Sequence, residues 1–417
     1  TTRLVGSEMC IRDRGMLSSL HGSAGAITAL QNSVAHYYQR ASSADYLGVD
    51  PTRRSLTGTG GYVKVGRKGN AKWNFSETFT WSSPGFDLND MGYMKETDYL
   101  MNETEIMYRQ TDIWKIFRYN AFTLSQKNMW NYGGTPFSNN ASLRWQSMTM
   151  NRYEWDVKET FAWNWLDSRL LRGGPDVRFG SYFLTSAKFN TDKAKRMMFM
   201  LKYEGDHNFE GNRFNTISPS LTFRLGNHVY LSGQLDYAWN TDEMQYVATT
   251  SPLSSSSLAP YYYVMGHMDQ KTYGLTLKLQ VNVTPDISIQ FYGAPFTSIA
   301  KYDDFKLAAD TKSHTFENRF QRIDPDQLTY ADGVYTIGEG AGQMPFRNPD
   351  FRFNEFRSNL VARWEYLPGS TLYFVWEHRM SNRDNWYSSG WGSNLDRMWG
   401  LPATNTFMIK MNYWFNL

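Results

Sequence analysis

The feature that most constrains this chain is an every-other-residue rhythm. In Tyr273–Val283, residues Tyr273, Leu275, Leu277, Leu279, Val281 and Val283 take one set of alternate positions, and Gly274, Thr276, Lys278, Gln280 and Asn282 take the other. Successive side chains of a strand point to opposite faces, so strict alternation describes a sheet wetted differently on its two sides. Val229–Trp239 repeats the pattern, with Val229, Leu231, Leu235, Tyr237 and Trp239 against Ser232, Gln234 and Asp236. So does the last segment, where Phe407, Ile409, Met411, Tyr413, Phe415 and Leu417 alternate with Lys410, Asn412 and Asn416.

Extended along the chain, this reading predicts sixteen strands, near 28–39, 56–66, 71–82, 99–110, 113–126, 138–150, 153–166, 176–188, 194–205, 213–225, 227–239, 270–283, 286–299, 353–366, 369–380 and 404–417. Several exceed the ~5–6 residues of an ordinary globular strand, and a tilted strand crosses a bilayer in about 9–11. The connections alternate in length. Arg67–Asn70, Thr111–Asp112, Asn151–Arg152, Gly226, Thr284–Pro285 and Leu367–Gly369 are short, whereas 83–98, 127–137, 167–175, 240–269, 300–352 and 381–403 are long and polar. Transmembrane barrels have short periplasmic turns and long external loops. With the C-terminus on the periplasmic side, every short connection falls on that side. The 300–352 loop is long enough to fold over the mouth.

Composition agrees. Phe, Trp and Tyr make up 16% of the 417 residues, a surplus that the two aromatic girdles of a membrane barrel would absorb. No run of 18 apolar residues exists, so no transmembrane helix is expected. A mean hydropathy of -0.56 is compatible with a barrel, because half of each strand faces water. The net charge of +3 gives no pull toward nucleic acid. The single cysteine, Cys10, lies in Thr1–Arg14, TTRLVGSEMCIRDR. That stretch resembles translated sequencing-adaptor sequence and is set aside as non-native. The remainder then has neither a disulfide framework nor a thiolate metal site. The expected plan is 1–14 set aside, 15–55 as an unassigned stretch with room for a first strand and its loop, and a barrel over 56–417.

Several phrases carry a resemblance. Ser83–Tyr93 reads SPGFDLNDMGY, Arg172–Pro175 reads RGGP, Asn348–Arg379 reads NPDFRFNEFRSNLVARWEYLPGSTLYFVWEHR, and the end contains NTFMIKMNYWF. Together these resemble the C-terminal barrel domain, of unknown function, of outer-membrane proteins from Gram-negative bacteria. The resemblance spans about 56–417 and implies an N-terminally truncated member, since the family's barrel usually follows a family-9-like carbohydrate-binding domain. It implies no activity. The chain departs from the usual barrel ending, which is aromatic: Leu417 is last and Phe415 is the nearest ring.

Nothing points to catalysis. His21, His36, His207, His228, His267, His314 and His378 form no metal-ligand spacing, and no nucleophile elbow or phosphate loop occurs. The chain is read as non-enzymatic and without a cofactor. Asp303–Asp304, Asp324–Asp326 and Asp87, Asn89, Asp90 could hold Ca²⁺ or, as the preferred reading, cap turns. Arg144, Lys158, Lys202, Arg224, Asp236, Lys278, Arg363 and Glu365 fall on the polar rows. They either set the charge of a lumen and touch its solute, or form an inward salt-bridge network. Glu77 and Glu159 fall on rows otherwise rich in Trp and Phe, where charge facing lipid is costly. Either those rows are protected or a bulge shifts the register. Trp130, Tyr132, Tyr261–Tyr263, Trp386, Tyr387, Trp391 and Trp399 are placed in or near outer loops, as sugar-stacking rings or as girdle.

The expectation is therefore an all-β, antiparallel, up-and-down transmembrane barrel of about 16 strands (14–18) in the bacterial outer membrane, closed because backbone polar groups cannot stay unpaired in lipid. Its partners would be lipid, a polar solute or glycan, and the outer-membrane assembly machinery through the C-terminal strand, but not nucleic acid. It would pass a polar solute selected by lumen charge and loop constriction, or serve as a platform for an N-terminal carbohydrate-binding domain. The alternatives are a plugged anchor that binds carbohydrate through its loops, and a soluble secreted β-rich carbohydrate-binding protein.

Overall fold

The computed structural model describes residues 9–40, 45–67, 69, 71–90, 92–226, 228–253, 261–384 and 391–415. In chain order the strands are β1 (Met9–His21), β2 (Ser55–Arg67), β3 (Trp73–Ser82), β4 (Tyr99–Gln110), β5 (Phe117–Trp130), β6 (Pro136–Thr149), β7 (Glu154–Trp163), the short β8 (Trp165–Asp167) and β9 (Val177–Phe179), β10 (Tyr182–Asn190), β11 (Met197–Asn208), β12 (Arg213–Leu225), β13 (Val229–Thr250), β14 (Tyr262–Asn282), β15 (Ile287–Ala308), the short β16 (Phe320–Arg322), β17 (Leu328–Ala331), β18 (Val334–Ile337) and β19 (Met344–Arg347), then β20 (Phe351–Leu367), β21 (Ser370–Asp384) and β22 (Thr404–Asn412). The helices are α1 (Ala24–Gln31) and α2 (Trp391–Trp399). The molecule is all-β.

One antiparallel sheet dominates. Within it β1 to β7, β10 to β15 and β20 to β22 pair in succession, β7 joins β10, β15 joins β20, and β16 extends the far end of β15. Strands β8–β9 and β17–β19 make two small separate sheets. Among the described residues no pairing joins β1 to β22.

The alternation becomes two physical faces because directly opposed residues of a ladder share a face. One row runs Phe122, Trp145, Val157, Ala187, Tyr203, Ile217, Tyr237, Tyr273. One residue along, the opposite face runs Thr123, Arg144, Lys158, Ser186, Glu204, Thr216. The apolar side is bare: Leu143 is 56% exposed and its partner Leu124 54%. Aromatic rings band it near both strand ends. On β3 they are Trp73 and Trp81, on β7 Trp155 and Trp163, with Trp73 against Tyr108 at 5.0 Å and Trp155 against Phe189 at 4.4 Å.

The two ends differ. At one end the strands turn tightly, as at Gly226 (φ +67) and Gly369 (φ +79), where the left-handed backbone favours glycine. At the other end the connections fold into a cap. Strands β13, β14 and β15 run well past their neighbours, through register shifts at Asp242/Gln245, Tyr246/Ala248 and Met265/His267. At and beyond the shifts Val264, Met268, Tyr302, Phe305, Leu307, Ile337 and Phe346 form a buried core with the β17–β19 sheet, and Leu171, Val177, Met244, Met265 and Phe320 form a second.

Several expectations are corrected. The segment 28–39 is not a strand: Ser23 caps α1 by accepting from the Ala26 N–H at 3.2 Å, and turns follow the helix. Within the stretch set aside as adaptor-like, Met9–Arg14 pairs with Arg67–Tyr62 as the first half of β1. The 127–137 loop shrinks to 131–135, and 240–269 and 300–352 lose their flanks to β13, β14 and β15. The 113–126 strand lies instead at Phe117–Trp130.

Candidate functional site: the polar face beneath the cap

All eight charged residues chosen from the alternation lie on the polar face, and the structure gathers three of them. Arg144 and Lys158 are direct cross-strand partners, and Lys202 sits one strand beyond Lys188, which in turn opposes Asp156. Arg144 makes a two-pronged contact with Asp156, Nε to Oδ1 at 2.7 Å and Nη2 to Oδ2 at 2.5 Å, and Gln146 donates to the same carboxylate at 3.1 Å. Lys202 pairs with Glu204 at 2.7 Å. These pairs are partly solvated, so each contributes about 0.2–1 kcal/mol. Their larger effect is to set a fixed pattern of charge on this face. Of the rest, Asp236 accepts from Ser218 at 2.6 Å and from Gln234 at 2.9 Å. Lys278 lines a separate cavity of about 340 Å³ with Tyr230, Gln280, Gln290 and Tyr292. Arg224 donates to the Lys193 carbonyl at 3.2 Å near the tight turns, and Arg363 pairs with Glu365 at 2.5 Å at that same end.

Toward the cap this face opens into a larger cavity of about 490 Å³. Trp165, Phe179, Tyr182 and Phe214 supply rings, Asp167, Asp206 and Asp242 supply carboxylates, and Asn140, Asn208, Asn212 and Asn240 supply amides. Leu184, Asp206 and Phe214 also line a second space of about 360 Å³ that reaches Lys158 and Glu204. The two spaces make one groove from the cap down to the charged ladder. Local geometry fixes the rings: Trp165 faces Phe179 across the β8–β9 pair and meets Tyr182 edge-on at 5.6 Å. Asp167 accepts the backbone N–H groups of Arg169 (2.7 Å) and Leu170 (3.0 Å), and Asp242 accepts that of Met244 (2.9 Å). Flat rings beside carboxylates and amides can stack on the C–H face of a polar solute and bond its hydroxyls or amines. The lining holds neither histidine nor cysteine.

Sequence reasoning missed these residues. Trp165 and Phe179 fall within the expected 153–166 and 176–188 strands, but those strands break so that the two rings sit on a separate pair of three-residue strands, and Asp206 and Asp242 converge only through the pairing of β11, β12 and β13. The aromatic residues chosen for the loops fare differently. Trp130 is not in a loop; it ends β5 on the apolar face, opposite Leu100 and Pro136. Tyr132 belongs to the cap, where its N–H donates to Asp98 at 3.1 Å. Trp391 begins α2, while Trp386 and Tyr387 lie outside the described residues.

The cap itself is tied down by buried polar groups. Asp98 accepts from the Arg40 guanidinium and from Tyr46 Oη at 2.6 Å, linking the connection between β1 and β2 to that between β3 and β4. Burial lowers the pKa of the His36 imidazole, outweighing the Asp87 carboxylate 3.9 Å away, and pushes the Tyr38 phenol up to about 12. Arg319, 1% exposed, meets Glu210 at 2.8 and 2.9 Å and donates to the carbonyls of Ser313, Arg178 and His314. Among the described residues no three His, Cys, Asp or Glu side chains gather as metal ligands, and no helix is long and apolar enough to cross a membrane.

Comparison with known proteins adds a family. No curated protein matches the chain. A solved structure, the siderophore receptor PirA from Acinetobacter baumannii, aligns over 98% of this chain and 69% of its own at 10% identity with a TM-score of 0.38, a likeness too low to transfer fold detail or ligand. The model of the DUF5916 domain, a domain of unknown function, matches residues 22–417, so β1 lies ahead of the match and the whole groove and cap lie inside it. By that match the chain belongs to the DUF5916 family.

Proposed function

We propose that the sheet closes into a barrel in the bacterial outer membrane and that its polar face lines a passage for a polar solute. The observation that carries this reading is the bare apolar face. Large aliphatic and aromatic side chains stand exposed over strand after strand, banded by Trp and Tyr, while the opposite face holds paired charges and amides. Water on both sides would leave the apolar face unaccounted for. Hydrocarbon on one side and water on the other account for both. Closure by about 16 strands would give an aqueous lumen, with the tight turns periplasmic and β22 presented to the assembly machinery. The groove beneath the cap would hold the solute, and the Arg144–Lys158–Lys202 ladder would select it by charge. The ring-and-amide lining suits a glycan-related solute. No reaction or cofactor is assigned.

A plugged, non-conducting anchor or platform that binds carbohydrate through its loops is the second reading, favoured by the folded cap. Planar-bilayer recordings separate the two. Stepwise conductance whose reversal potential shifts toward cation selectivity when Lys158 and Lys202 are changed to Glu supports passage, and silence from folded protein supports the anchor. Recovery of the protein in the soluble fraction without detergent would exclude both.

A further inference from the structure

The two glutamates on the apolar face remain without a role, and their setting is unlike the rest of that face. Around β12 to β15 a typical row reads Phe223, Leu231, Leu279, Phe291. Around β3 to β6 the middle rows read Glu77, Thr104, Gln126, Ala141 and, next to it, Phe79, Asn102, Asn128, Asn139. No register shift turns these residues inward, since the β3–β4 ladder is regular from Trp73 to Ser82. Glu77 lies midway between Trp73 and Trp81, at the centre of the zone that the aromatic bands delimit. It accepts from Asn102 Nδ2 at 2.5 Å and from Thr104 Oγ1 at 2.6 Å, and Glu159 accepts from Thr185 at 2.7 Å. These bonds satisfy some lone pairs but leave Gln126 and the remaining amide groups facing outward. Polar groups at mid-membrane depth are costly against lipid and are retained where protein covers them.

Resting on the membrane reading, we propose that this belt is an interface with a second copy of the same chain. The chemistry selects the occupant. A two-fold contact sets a patch against itself, so it needs groups that both donate and accept. Asn102, Thr104, Gln126 and Asn128 each do both, whereas a field of lysines or unpartnered carboxylates would repel its own copy. Ala141, opposite Gln126, leaves room for close approach. The two carboxylates are already held by donors of their own chain, so the contact buries no unbonded charge.

The test is native mass spectrometry of the full chain in detergent, with cross-linking in membranes. Wild type is expected at a multiple of the monomer mass. The double variant Glu77→Leu/Gln126→Leu is expected at the monomer mass, at least tenfold depleted in oligomer, while keeping the heat-modifiable gel mobility of a folded barrel. In a Cys10→Ser background, Ala141→Cys should cross-link to twice the chain mass and Leu277→Cys, on the aliphatic sector, should not. A monomeric wild type together with Ala141→Cys cross-linking no better than Leu277→Cys overturns the proposal. That pair of results from membrane-extracted protein sinks this interface alone, whereas a protein soluble without detergent sinks the membrane reading beneath it.

Discussion

At one end of the sheet, β12 passes to β13 at Gly226 and β20 to β21 at Gly369, in connections of a few residues, where Glu365 accepts the Gly369 N–H at 3.1 Å. At the other end, residues 22–40, 45–54 and 309–350 fold over the strands with two hydrophobic cores, a buried Arg319–Glu210 pair and the Asp98 hub. One strand rhythm therefore serves two different jobs. The wall repeats the same antiparallel ladder with an apolar and a polar face from strand to strand. The cap is a small globular assembly with specific buried partners, and single substitutions there should loosen the cap while leaving the wall's protection unchanged.

The largest expected effect follows from Arg319→Ala. Removing the cation leaves Glu210 and three carbonyls facing the space it filled, a loss of about 3–5 kcal/mol. Hydrogen exchange should accelerate over 309–350 while the wall amides of β3–β6 keep their protection. If wall and cap lose protection together, they are one cooperative unit and the contrast fails. Leu171→Ala, at a site 1% exposed in the second core, should cost about 2–5 kcal/mol, read as protease nicking of the 164–181 connection in an otherwise protease-resistant sheet. Gly226→Ala places a Cβ at φ +67 and should cost about 1–2 kcal/mol, measured as a lower urea midpoint for the wall with cap exchange unchanged.

The smallest effect is a pH dependence confined to the cap. The folded His36 pKa lies below its free value of 6.5 because the ring is buried. The unfolded segment then binds the proton more tightly. Stability from the neutral ring is present above about pH 6.5 and is lost as the pH falls below it. Protection factors over 22–40, taken against the intrinsic exchange rate at each pH, should fall between pH 7 and pH 5, and His36→Gln should flatten that slope. An unchanged slope in the variant would assign the effect to another group.

The wall was legible because its period is two and its two faces carry unlike side chains: Tyr273–Val283 could be oriented residue by residue, and Arg144, Lys158 and Lys202 share the polar face. The cap was not. Ala24–Gln31 is a helix of eight residues set by the Ser23 cap, within a stretch whose apolar residues also fit a strand. The strands β17, β18 and β19 have four residues each, and nothing local says that they pair. The groove depends on register across β7, β10, β11 and β12, so Trp165, Asp206 and Phe214 come together from distant parts of the chain. Glu77 was correctly seen as out of place on its row, but Asn102 and Thr104 became its partners only once β3 and β4 were in register.

The most direct test sits on two neighbouring residues. Leu277 and Lys278 are adjacent on β14, one on each face. In Cys10→Ser protein reconstituted into lipid vesicles, single cysteines along 275–280 can be probed with a membrane-impermeant maleimide and with a lipid-phase quencher. Strict alternation is expected: quencher access at 275, 277 and 279, and maleimide labelling at 276, 278 and 280. Uniform labelling from water at all six positions, or failure of the folded protein to insert at all, would contradict a sheet with hydrocarbon on one side and water on the other.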